Sequence, residues 1–138
     1  METTKILVGG QALRELGSSR YTNDVDYLIF DASSNQMFIK DEANNTDYLN
    51  AAASSFFNEI YKIEKNNTIA TAQSLLELKA YSWIQHLTNG NWKKAADCEF
   101  DMAFLVREKG AKMPTIVKKY VSASEFAEIE KEIKQIKK

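Results

Sequence analysis

The chain alternates between short apolar runs and longer stretches with helical spacing, and the two kinds are unevenly distributed. Lys5-Ile6-Leu7-Val8 is a short β-branched run that stops at Gly9-Gly10, which predicts a buried strand entering a tight turn. Gln11 to Leu16 places Ala12, Leu13 and Leu16 at helical spacing, and Gly17 suits a helix C-terminus. Asp24 to Phe30 predicts a second strand, and Gln36 to Lys40 a third. Thr46 to Asn50 either completes a β-hairpin over 36–50 or opens a helix running through Ala53. Ser54 to Ile63 is apolar on one side, as either a helix or a short strand pair. Thr68 to Thr71 reads as extended.

From there the period becomes helical. Ser74 and Glu77 have capping-box spacing, and Leu76, Ala80, Trp83, Ile84 and Leu87 form one stripe that ends near Asn89-Gly90. Lys93 to Arg107 is the next helix, with Ala96, Phe100, Ala103 and Phe104 as its apolar face. Gly110 and Pro114 punctuate its end, and Ile116 to Val121 is a short apolar segment. Ser122 and Glu125 form a second capping box, opening a terminal helix striped by Phe126, Ile129, Ile133 and Ile136. Strands first and helices after predict an α+β fold. Residues 1–72 form an αβ core and residues 73–138 a helical portion packed on it, as one compact domain.

Composition narrows the function classes. The formal net charge is −1 over 138 residues, so global electrostatics makes no case for nucleic acid or membrane. Cys98 is the single cysteine, which excludes an internal disulfide and suggests a reducing, cytoplasmic setting. The start, Met-Glu-Thr-Thr-Lys, leads into about four apolar residues, too few for a signal peptide. No run approaches the roughly twenty residues of a transmembrane helix.

The candidate chemistry gathers on the second strand. Asp24 and Asp26 are two apart, so a strand presents both on one face. Paired carboxylates there suit a hard divalent cation; alone, they would equally suit a turn followed by an exposed strand residue. Thirteen residues separate them from Gly9-Gly10. Glycines at a helix N-terminus let a phosphate approach the backbone amides. Carboxylates beside such a turn are the requirement of metal-assisted phosphoryl or nucleotidyl transfer, in which metal activation of the hydroxyl lowers the need for a histidine base. His86, the single histidine, lies in a helix and reads as a surface or packing residue.

Gly9-Gly10 through Gly17, followed by Arg20-x-Thr22-x-Asp24-Val-Asp26, resembles the polymerase-β-type nucleotidyltransferase superfamily, and most closely its minimal prokaryotic branch of abortive-infection toxins. Ala72 to Ala80 resembles the family's helix with an acidic residue and an inward lysine, and Lys94 to Leu105 its later helix. The lysine that the family places directly before the first aspartate is Ala96 here, with Lys94 two residues early. The resemblance covers roughly residues 5–106.

It implies Mg²⁺ or Mn²⁺ held by Asp24, Asp26 and a third acid, with an NTP as substrate. Asp47 is chosen as that acid over Asp41 and Glu64. Gly9, Gly10, Arg20, Thr22 and Lys79 would contact the nucleotide. Arg20 is otherwise a surface loop residue, and Lys79 otherwise relieves the repulsion between Asp97 and Asp101 on one helix face. The acceptor hydroxyl could belong to a tRNA end, a protein or a small molecule, in a toxin–antitoxin or phage-defence setting. A degenerate binding module of the same fold is the competing reading. The short chain leaves room for a partner protein or a second copy.

Overall fold

The computed structural model describes residues 4–138; Met1, Glu2 and Thr3, the start of the stretch read for a leader, lie outside them. Contacts divide the chain into two units, Met1–Thr71 and Ala72–Lys138. The strands fall in the first unit and the longer helices in the second, an α+β fold.

The first unit runs β1 (Ile6–Val8), α1 (Gly9–Glu15), β2 (Val25–Ile29), β3 (Phe38–Asp41), β4 (Thr46–Asn50) and α2 (Ser55–Glu64). The sheet order is β1-β2-β4-β3. The central pair β2/β4 is parallel, and β1 and β3 flank it antiparallel. Ile6 and Leu28 are register partners and fully buried, which anchors the face that also carries Asp26 two residues earlier. The edge of β1 is extended by a parallel bridge from Leu7 to Ile69.

Two open alternatives resolve on local chemistry. Asn45 adopts a left-handed φ of 52°, closing the short 3₁₀ turn Glu42–Asn44, so Thr46 starts a strand and not a helix. The Ser54 hydroxyl accepts from Phe57 N, which makes the segment after it a helix. That helix buries Phe56, Phe57 and Ile60. The first helix begins at Gly9 and not at Gln11, and the third strand runs Phe38–Asp41 in place of Gln36 to Lys40.

The second unit holds α3 (Ala72–Thr88), α4 (Trp92–Arg107), a 3₁₀ turn (Val117–Tyr120) and α5 (Ala123–Lys137). The capping box at Ser122 and Glu125 is present, with both hydrogen bonds made. The one expected at Ser74 is absent, because α3 starts two residues earlier and Ser74 is buried inside it. Glu77 serves elsewhere. Its carboxylate accepts from the backbone amides of Thr115 (2.9 Å), Ile116 (3.1 Å) and Val117 (2.8 Å), which pins the segment leading into α5.

The packing face of α4 also differs from expectation. Ala95, Cys98, Met102, Leu105 and Val106 are buried, whereas Phe100 is 49% exposed. This helix carries two apolar stripes on opposite sides. The buried one follows 95, 98, 102 and 105, and tolerates Asp101 within it because Lys79 supplies the counter-charge.

Candidate functional site

Strand register builds the site. Asp26 and Asp47 are direct partners across the parallel β2/β4 pair, so their side chains leave the sheet side by side on one face. Asp24 lies immediately before β2, at the same parity as Asp26. Neither rival for the third acid is in this position. Asp41 has the opposite parity to Lys40, the register partner of Asp47, and its Oδ2 accepts from Asn44 Nδ2 (2.8 Å). Glu64 is fully buried at the end of α2. Its oxygens accept from Asn67 Nδ2 (2.8 Å), Thr71 N (3.2 Å) and Thr71 Oγ1 (2.6 Å).

On the other flank of β2, Val8 pairs with Asp26, and the next residue is Gly9. Gly9 has a φ of +68°, and a β-carbon there would strike the Asp26 carboxylate, 2.9 Å from Cγ. A β-carbon on Gly10 would meet the Thr22 side chain, 3.1 Å from Cβ, and approach Arg20 Nη2 at 3.5 Å. The two glycines thus admit the chain's own Asp26, Thr22 and Arg20 against the backbone of the first turn of α1. The loop carrying Arg20 and Thr22 is tied at two adjacent residues close to β2. Gln11 Nε2 donates to Thr22 O (2.8 Å), and Asn45 Nδ2 donates to Asn23 O (3.1 Å). Gly9, Gly10, Arg20, Thr22, Asp24, Asp26 and Asp47 therefore belong to one corner of the first unit.

Lys40 is a member of this corner that was not anticipated from sequence. It is the register partner of Asp47 on β3, and its Nζ donates to Asp47 Oδ1 at 3.2 Å. That hydrogen bond and the Asp47 charge raise the Lys40 pKa above its ordinary value, with smaller contributions from Asp24 and Glu42. The signal was the hairpin itself: once β3 and β4 pair across the Asp41–Asn45 turn, some β3 residue must face Asp47. Which one depends on a register that the turn residues do not specify.

The donor chemistry suits a hard cation, since all three candidate ligands are carboxylates. The arrangement is less complete than the chemistry. Among the described residues, no group of three or more His, Cys, Asp or Glu side chains is placed to hold a metal ion, and one Asp47 oxygen faces the Lys40 ammonium.

Lys79 lies in the second unit, on α3. Its Nζ is 2.9 Å from Asp101 Oδ2, with the two side chains 17% and 1% exposed. Asp97 is paired instead with exposed Lys93 at 3.9 Å. The His86 ring approaches Asn91 Nδ2 at 3.5 Å. Partial burial lowers its pKa below 6.5, helped by the charges of Lys94 and Lys79. No helix is long and apolar enough to cross a membrane among the described residues. The chain matches no family model, no curated protein sequence and no solved structure.

Proposed function

We propose that the corner formed by β1, α1, β2 and β4 is a nucleotidyltransferase site that moves a nucleotidyl group from an NTP to an acceptor hydroxyl. The observation that carries this reading is the packing of the Gly9-Gly10 turn against Asp26, Thr22 and Arg20, with Asp47 adjacent to Asp26. Asp24, Asp26 and Asp47 are the residues that would hold Mg²⁺ or Mn²⁺. The bound ion would neutralise phosphate charge and polarise the attacked phosphorus. The chain's own groups supply the rest. The Arg20 guanidinium is the planar donor suited to a phosphate oxygen. The side-chain-free Gly9-Gly10 backbone lets Asp26 and Thr22 pack directly against the start of α1. Lys40 neutralises Asp47 and holds it in line. The acceptor is a tRNA end, a protein side chain or a small molecule, and the resemblance to toxin-type proteins favours a defence or toxin–antitoxin setting.

One observation favours a second reading. The Lys40–Asp47 pair, with no three-ligand group formed, is also what a binding module without turnover would show. Labelled NTPs incubated with the protein, Mg²⁺ and a cell extract separate the two. Label transferred by the wild type but not by Asp24→Ala/Asp26→Ala supports the enzyme. Nucleotide binding without transfer supports a nucleotide-binding module, and neither binding nor transfer removes the enzyme and leaves a module that binds a partner protein.

A further inference from the structure

The formal charge of −1 hides a division along the chain. Residues 1–71 carry six Lys and Arg against ten Asp and Glu, and residues 72–138 carry 12 against nine. Two of those nine, Glu77 and Asp101, are buried and already satisfied, by backbone amides and by Lys79. The surface of the second unit is therefore basic.

The fold of that unit gathers much of the excess at one end, which three sets of contacts define. Gln73, at the start of α3, bonds the Lys112 backbone twice: its Nε2 donates to Lys112 O (2.9 Å), and its Oε1 accepts from Lys112 N (2.8 Å). Ala111 N donates to Leu105 O (3.0 Å), which folds the chain back over the last turn of α4. Arg107 Nε donates to Ile136 O (2.9 Å), which brings the C-terminal ends of α4 and α5 together. Arg107, Lys109, Lys112, Lys134 and Lys137 all lie at this end, and all are exposed. Among the described residues none of the five is in an ion pair, whereas Lys40, Lys79 and Lys93 each are. The acids nearest them in the chain are Glu108 and, one turn before Lys134, Glu130.

Helix poles account for part of this arrangement. Arg107, Lys134 and Lys137 stand in the last turns of α4 and α5, where a cation is favourable. Lys112 has no such reason. It is bonded to the start of α3, a positive pole with no acidic residue in its first turn. An external anion relieves the repulsion among these cations. A single phosphate cannot reach all five, because packed helix axes are about 8–10 Å apart; a chain of phosphates can. The large exposed apolar residues of this unit are Trp92, at the other end of α4, and Phe100, about two turns from its last residue. The basic end thus has charge without an apolar anchor, which favours a polyanion in solution over a bilayer.

We infer that this end of the second unit binds the phosphate backbone of a nucleic acid without reading its sequence. The Arg107 guanidinium keeps four N–H donors besides the one given to Ile136. The lysines act as flexible point charges. The inference stands apart from the nucleotidyl-transfer reading, and its test uses neither NTP nor Mg²⁺.

Fluorescence anisotropy with short labelled RNA and DNA duplexes of unrelated sequence tests it. The wild type should bind one or both, and the two arms show whether the ribose 2′-hydroxyl matters. Affinity should fall about a hundredfold between about 50 and 200 mM salt, as release of about three to four counterions requires. Lys109→Glu/Lys112→Glu, checked for fold by circular dichroism, should weaken binding at least about tenfold and flatten the salt dependence by about two counterions. Lys109→Gln/Lys112→Gln should follow by a smaller factor, and Lys109→Arg/Lys112→Arg should bind like the wild type. Lys62→Glu/Lys65→Glu, the same charge change at exposed positions of the first unit, should stay within about twofold. A wild type that binds neither duplex at about 50 mM salt overturns the inference. So does a Lys109/Lys112 charge reversal that binds as tightly as wild type, or a Lys62/Lys65 reversal that weakens binding equally. Preference for phosphatidylserine vesicles over both duplexes would assign the surface to a membrane and overturn it too.

Discussion

Two acids of the second unit and three at the β2/β4 corner of the first are used in opposite ways. In the second unit, Glu77 is 2% exposed and Asp101 is 0% exposed, and the chain satisfies both. Three backbone amides converge on Glu77, and the Lys79 ammonium meets Asp101. In the first unit, Asp24 is exposed, and Asp26 and Asp47 are half-buried at a sheet corner. Asp47 is held by the exposed Lys40 across neighbouring strands. A buried carboxylate that ends on internal donors is committed to the fold, because removing the donors leaves a charge in a poor solvent. Carboxylates aligned at an accessible edge are expensive neighbours for one another unless a cation joins them. That contrast, more than the residue type, separates structural acids from candidate ligands, and it also places Glu64 with the structural set.

The contrast can be broken most severely at Glu77. Glu77→Ala should cost about 3–5 kcal/mol in denaturant unfolding, since three amides lose a charged acceptor. A loss under about 1 kcal/mol would mean that water replaces the carboxylate. Next is the buried pair. Lys79→Met and Asp101→Leu should each destabilise by about 3 kcal/mol, and the double variant should recover most of that, because the unpaired charge, not the missing pair, is the cost. Additive losses would show that each residue has separate partners. In the first unit, Gly9→Ala should cost about 1–3 kcal/mol for a side chain at positive φ that strikes Asp26.

The smallest effect is at His86. Its pKa is lowered in the folded state, chiefly by burial. The unfolded chain therefore takes up the proton first as pH falls, and stability contributed by neutral His86 is complete above the ordinary value of 6.5 and lost as pH drops through the folded-state value. His86→Gln should flatten that part of the stability–pH profile; an unchanged profile would assign it to other groups.

Much of the first unit was legible in its residues. Val8-Gly9-Gly10 and Val25-Asp26 each report a local requirement, a strand end and a strand with an acid on one face, but the strand runs Val25–Ile29 and not Asp24 to Phe30, and Gly9-Gly10 opens the helix instead of forming a separate turn before it. Asp47 was harder, because choosing it over Asp41 and Glu64 depended on strand pairing, a long-range property. Lys40 was missed for the same reason. In the second unit, Ser74 and Glu77 have the spacing of a capping box, but spacing cannot tell a cap from a helix already begun, and Glu77 is claimed by amides nearly forty residues away. On α4 both sides are apolar. Periodicity finds two stripes there, and only packing decides which is buried.

The central claim is that the Asp24–Asp26–Asp47 corner beside Gly9-Gly10 binds a metal–nucleotide complex. Isothermal titration calorimetry with ATP and Mg²⁺ tests it on the wild type and on Asp24→Ala/Asp26→Ala, with melting curves confirming that both are folded. The prediction is Mg²⁺-dependent ATP binding by the wild type, lost in the folded variant. A wild type that binds no ATP, or a variant that binds it as tightly, would contradict the account.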